Sequence, residues 1–212
     1  KAGEINIGAD ITNAQPLTIS FSATTAGNAR SLISAKTSSR AQGKGGNIFI
    51  GSAGQPLSIS GAGSITAETE GSGQGGSLNF KGSSITLSEG ANASASTSGT
   101  GIGGEILVDT SSLNLLGGSQ LATEAKEGST GKAGQINNGA DPAKAQPLTI
   151  SFSATAAGTG SSLISAKTSN RAQGQGGDIF IGTAGQPLSI RGPGSITAET
   201  GGSGQGNWID RK

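Results

Sequence analysis

The side chains able to do acid–base or metal chemistry in this chain are few, and their types narrow the chemistry at once. Histidine and cysteine are both absent. The common zinc, haem and thiol sites therefore lack their ligands, and neither a Ser-His-Asp nor a Cys-His nucleophile is possible. Carboxylate chemistry remains. Aspartates stand at Asp10, Asp109, Asp141, Asp178 and Asp210, and Glu68 and Glu199 sit in a recurring Ile-Thr-Ala-Glu-Thr motif. Glycoside hydrolysis would need two such groups a few ångströms apart on one face. Asp10 and Asp141, however, are equivalent positions 131 residues apart, and so are Glu68 and Glu199. Acids that recur with a scaffold argue against a unique catalytic centre, so neither enzymatic activity nor a cofactor is expected.

A metal turn is the second possibility. Gly174-Gln175-Gly176-Gly177-Asp178-Ile179-Phe180 is similar to the glycine-Asp turns of calcium β-rolls, which place an Asp about every nine residues. The positions equivalent to Asp178 are Glu4, Asn47, Ser77, Glu105, Gln135 and Asn207. That ligand column is discontinuous. A plain corner turn is expected, indifferent to chelators.

These residues have to be held by strands. Glycine accounts for 39 of the 212 residues, only 32% are hydrophobic, 3% are aromatic and the net charge is +1. Composition alone would suit a disordered chain. The patterning says otherwise, because Leu57-Ser58-Ile59-Ser60, Ile85-Thr86-Leu87-Ser88 and Leu148-Thr149-Ile150-Ser151-Phe152 alternate strictly. Period-two alternation bounded by Gly, Asn and Ser marks half-buried strands. No helical period is sustained. No apolar run reaches the ~18 residues of a membrane span, and no basic run provides a footprint for nucleic acid.

Repeats set the architecture. Residues 1–81 return as residues 132–212 with roughly three-quarters identity, so the chain reads as one segment, a 131-residue repeat (1–131) and a partial second copy (132–212). A shorter period lies inside it. Gly-x-Gly-Gly-type turns begin at Gly43, Gly73, Gly101, Gly131, Gly174 and Gly204, with spacings of 30, 28, 30, 43 and 30 residues. Each unit holds three short apolar strands, whereas a propeller blade of ~40–45 residues needs four. Three stacked strands per turn describe an all-β parallel β-helix with coils of 28–30 residues and a 43-residue coil every fourth. Its corner glycines are expected to supply φ > 0. The long coils carry insertions around Ala9–Pro16, Ala23–Arg30, Ala140–Pro147 and Ala154–Ser161, expected as outward knobs.

Stacking sorts residues into columns. Ile48, Leu78 and Ile106 should line one inner face, and Leu57, Ile85 and Leu113 a second. Ala35, Ala67, Ala95 and Ala166 beside Thr37, Thr69, Thr97 and Thr168 should line a narrow third. With those threonines inward and charges outside, an ice-binding Thr ladder on this face is disfavoured. Outside the third face run Lys36, Glu68, Ser96, Glu124, Lys167 and Glu199, in which no neighbouring pair is like-charged. Either register support or a stripe for charged glycans fits that column. Outside the first face run Asn6, Phe49, Asn79, Leu107, Asn137 and Phe180. Phe49 and Phe180 are either covered by the Ala9–Pro16 and Ala140–Pro147 loops or form an apolar strip for packing of rods or stacking on sugars.

Units such as Gly-Gly-Ser-Leu-Asn-Phe-Lys-Gly-Ser-Ser-Ile-Thr-Leu-Ser-Glu-Gly-Ala-Asn-Ala-Ser-Ala-Ser-Thr-Ser-Gly (75–99) resemble the haemagglutinin-type repeats of filamentous-haemagglutinin-like bacterial exoproteins. Through its repeats the whole chain shares that rhythm. The resemblance implies a right-handed β-helix in an extracellular, adhesive or structural filament at a bacterial surface, of the two-partner-secretion adhesin type. Self-association end to end or laterally into fibres is then expected, with cell-surface or matrix polysaccharide as a further partner. A glycan-binding or glycan-cleaving β-helix is the alternative, and an ice-binding solenoid a more remote one. The chain shows no capping helix or polar terminal coil, so a segment of a longer rod is expected.

Overall fold

The computed structural model describes residues 3–8, 15–22, 31–139, 146–155, 160–205 and 208–211, and among them every regular element is a strand. Numbered in chain order, β1 (Ile5–Ile7), β4 (Ile48–Gly51), β7 (Leu78–Lys81), β10 (Glu105–Asp109), β13 (Gln135–Asn138), β16 (Ile179–Ile181) and β19 (Ile209–Arg211) form sheet A. Sheet B contains β2 (Leu17–Ser20), β5 (Leu57–Ser60), β8 (Ile85–Ser88), β11 (Ser112–Leu115), β14 (Leu148–Phe152) and β17 (Leu188–Arg191). Sheet C contains β3 (Leu32–Ser34), β6 (Ser64–Thr66), β9 (Asn92–Ser94), β12 (Gln120–Ala125), β15 (Ser162–Thr168) and β18 (Gly194–Thr200). Every strand pairs in parallel with its counterpart one coil away, which makes a three-sided parallel β-helix of six coils and a single strand of a seventh. The tips of the expected knobs fall outside the described residues.

Alternation decides what is inside. Ile48, Leu78, Ile106, Ile136 and Ile179 stack in register along sheet A, all completely buried. Leu57, Ile85, Leu113 and Ile150 do the same along sheet B. Each such side chain contributes about 1.5–3 kcal/mol of burial. Sheet C is lined by smaller groups, with Ala67, Ala95 and Ala166 buried beside Thr69, Thr97 and Thr168. The threonines keep their hydroxyls satisfied indoors: Thr37 Oγ1 donates to Thr69 Oγ1 at 2.6 Å, and Thr97 Oγ1 to the Gly101 carbonyl at 2.9 Å.

The corner glycines supply φ > 0 at some corners, as expected, but not at the Gly-x-Gly-Gly turns. Positive φ belongs to glycines at other corners, such as Gly51, Gly61 and Gly90, whereas Gly73, Gly101, Gly131, Gly174 and Gly204 have ordinary φ. A Cβ on Gly101 would lie 1.9 Å from the Gly73 carbonyl oxygen, and one on Gly131 1.8 Å from that of Gly101. Gly76, Gly104, Gly134 and Gly177 form a second ladder of the same kind. Glycine recurs here because backbones of successive coils touch at the corner between sheets C and A. The required property is the missing side chain rather than conformational freedom.

In sheet A the inward apolar alternation is broken at Asn138. This residue lies in the column of Val108 and Ile181, is 1% exposed, and neither its amide nitrogen nor its oxygen has a hydrogen-bond partner.

Candidate contact surface

Sheet A positions the outward column by register alone. Asn6 pairs with Phe49, Phe49 with Asn79, Asn79 with Leu107, Leu107 with Asn137, and Asn137 with Phe180. Carboxamide and apolar side chains therefore alternate along the rod axis, one per coil. A groove of about 520 Å³ runs over this column from Asn6 to Asn137. Phe49, 36% exposed, and the half-buried Leu107 give it an apolar floor. Gly51, Ser52 and Ala53 form one wall, and Lys81 with Asp109, paired at 3.4 Å, contribute to the lining. Its polar groups are unevenly engaged. Asn137 donates to the Glu105 carboxylate, while the side chains of Asn6 and Asn79 have no partner among the described residues. Ser52 is 6% exposed and its hydroxyl is unpartnered. The Ala9–Pro16 and Ala140–Pro147 loops, considered as covers for Phe49 and Phe180, lie largely outside the described residues. Phe180 is half-buried, in register between Asn137 and Asp210.

Sheet C carries the charged column, and the structure reassigns its partners. Lys36 lies in register beside Glu68, yet its ammonium bonds Glu70 at 2.7 Å. The hydrogen bond to Glu70 holds Lys36 above the ordinary lysine value against a small desolvation penalty, with the Glu68 charge adding to the effect. Glu68 instead receives Lys126, two coils away. Ser96 stands between them in the same column and is only 1% exposed. Glu124 pairs with Lys167 at 3.5 Å and also accepts from Ser169, and Glu199 stands in register beside Lys167. Sequence reasoning placed the column correctly but missed Glu70 and Lys126, which flank it two positions on. Long side chains reach diagonally, and column arithmetic counts only direct neighbours.

The candidate calcium turn is engaged in another way, and the register puts Trp208 rather than Asn207 at the position equivalent to Asp178. Asp178 accepts from Lys132 at 3.0 Å and from Gln135 at 3.3 Å, so lysine occupies the place a cation would take. No group of three or more Asp or Glu able to hold a metal occurs among the described residues. Of the carboxylates considered for hydrolysis, Asp109 is likewise paired with Lys81 and Glu68 with Lys126, while Asp10 and Asp141 lie outside the described residues. No protein-family model, curated protein or solved structure matches this chain.

Proposed function

We propose that this chain is a segment of an extracellular structural and adhesive filament of a bacterial surface protein, non-catalytic and of the filamentous-haemagglutinin-like kind. One observation carries the reading: the second copy of the long repeat continues the three sheets of the first without a break in register. β13, the copy of β1, stacks on β10 through four consecutive residue pairs, and β15, the copy of β3, stacks on β12 through six. A first coil is thus chemically suited to sit on a fourth. The same junction repeated would extend the rod indefinitely, since the strand stacking that holds each coil is made with its immediate neighbours. Outward groups recur with the scaffold, as a multivalent contact surface requires, and Glu68, Asp109, Glu124 and Asp178 are committed to ion pairs.

Electron microscopy and diffraction of the native assembly test this. The expected result is a fibre with an axial spacing of ~4.8 Å and knobs recurring about every 19 Å, four coils apart. Discrete globular particles with no axial repeat would overturn it.

A further inference from the structure

The groove on sheet A has a periodicity that points to a ligand. Along the axis, coils one, three and five present Asn6, Asn79 and Asn137, while coils two, four and six present Phe49, Leu107 and Phe180. The chemical repeat is therefore two coils, about 9.6 Å. We propose that this column binds an extended, uncharged β-1,4-linked glycan lying parallel to the rod axis, about one sugar residue per coil. The inference rests on the adhesive reading above and names its ligand.

Three features select that occupant. An extended β-1,4-linked chain turns each residue over relative to the last, so its own repeat is two residues, of nearly the length of two coils. Sugars one and three then lay the same apolar ring face on Phe49 and Leu107. Ring hydroxyls of the alternate residues meet the carboxamides of Asn6 and Asn79, which have no partner among the described residues and can both donate and accept. The floor itself carries no charge, and the lysine at its edge is neutralised by Asp109 at 3.4 Å. A charged glycan would find no net field here, whereas an uncharged one loses no ionic solvation on entering. The cavity, about 520 Å³, falls within the size of built small-ligand sites and shares their make-up of apolar walls with a few convergent polar groups.

The test uses the whole 212-residue chain. Retention on microcrystalline cellulose and on chitin is measured beside titration with cellohexaose, with maltohexaose, an α-1,4-linked chain of the same sugar, as the control. Binding to the β-linked ligands is expected, rising with oligosaccharide length to about five residues, the coils spanned by the groove. Phe49→Ala and Leu107→Ala should each weaken it by about tenfold, and Asn79→Ala by less. Phe49→Tyr should retain it. Thermal melting of each variant separates lost contact from lost fold, and Lys167→Gln, on sheet C, should bind as the parent does. No binding to any β-1,4-linked ligand, equal binding of maltohexaose, or full binding by a folded Phe49→Ala, Leu107→Ala double variant would overturn the proposal. Fibre formation is read separately, so the filament can survive the loss of its ligand.

Discussion

The two copies of the long repeat share their local sequence and differ in what surrounds it. Lys36 and its copy Lys167 sit in identical Ser-Ala-Lys-Thr-Ser segments. Lys36 pairs forward with Glu70 of the next coil, while Lys167, whose forward partner position is Gly201, turns back to Glu124. Asn47 caps the next coil by accepting from the Ser77 amide at 3.0 Å, while its copy Asp178 reaches back to Lys132. Gly-Ser-Ile-Thr-Ala-Glu-Thr occurs at both 63–69 and 194–200, yet Glu68 meets Lys126 across two coils whereas Glu199 lies beside Lys167. Ile7 is half-buried in the first coil, and its copy Asn138 is sealed between Val108 and Ile181. In a solenoid the environment of a residue is written by the coils on either side of it, and local identity does not carry it over.

Substitutions that act on this difference should range widely in size. The largest effect is expected from Ile85→Asp, which buries an unpaired charge between Leu57 and Leu113 and should cost at least about 4 kcal/mol in denaturant titration. The same change at Ile190, 50% exposed in the same inward column, should cost much less. Equal losses would mean that the column is not the source of stability. Gly104→Ala comes next, because its Cβ would lie 1.8 Å from the Gly76 carbonyl oxygen. About 3 kcal/mol of destabilisation is expected. Gly54→Ala, at φ +77° with open space around it, should show only its backbone strain, about 1 kcal/mol.

Asn138→Ile restores the residue of the first copy and removes the two unsatisfied polar atoms of one amide. Stabilisation by about 2 kcal/mol is expected, and a destabilised variant would show that the amide is satisfied in solution. Smallest are the surface charges. Gly201→Glu recreates for Lys167 the partner that Lys36 has in Glu70, a gain of about 0.3 kcal/mol that should vanish in 1 M salt. The Lys36–Glu70 pair can also be read by pH. A lysine held above its ordinary value stabilises the fold fully below the unfolded value of 10.5, and loses that contribution as pH rises through the folded one. Stability of the parent should therefore fall more steeply than that of Lys36→Gln above about pH 10.5. Parallel curves would remove the pair from the account.

Coil length, strand count and inward columns were all legible in the residues. A strand has a side-chain period of two and a parallel stack repeats it, so aligning Leu57, Ile85 and Leu113 in the sequence is the same operation as stacking them. The outward Asn–Phe–Asn–Leu–Asn–Phe order followed from the same arithmetic. What did not follow was everything that depends on reach or on contact distance. Lys126 finds Glu68 because a flexible side chain spans two coils, past the column position of the buried Ser96. The glycine ladders look like turn residues in the sequence, and only the 1.6–2.1 Å from an added Cβ to a stacked carbonyl oxygen shows that a methyl is what they exclude. Nor does the sequence mark Asn138 as buried beyond help, or show that Phe49 and Leu107 share one groove with Ser52. Periodicity determines register, since it is a property of the chain taken one residue at a time. Partners and cavities arise where residues tens of positions apart meet in space, and the tertiary structure alone decides them.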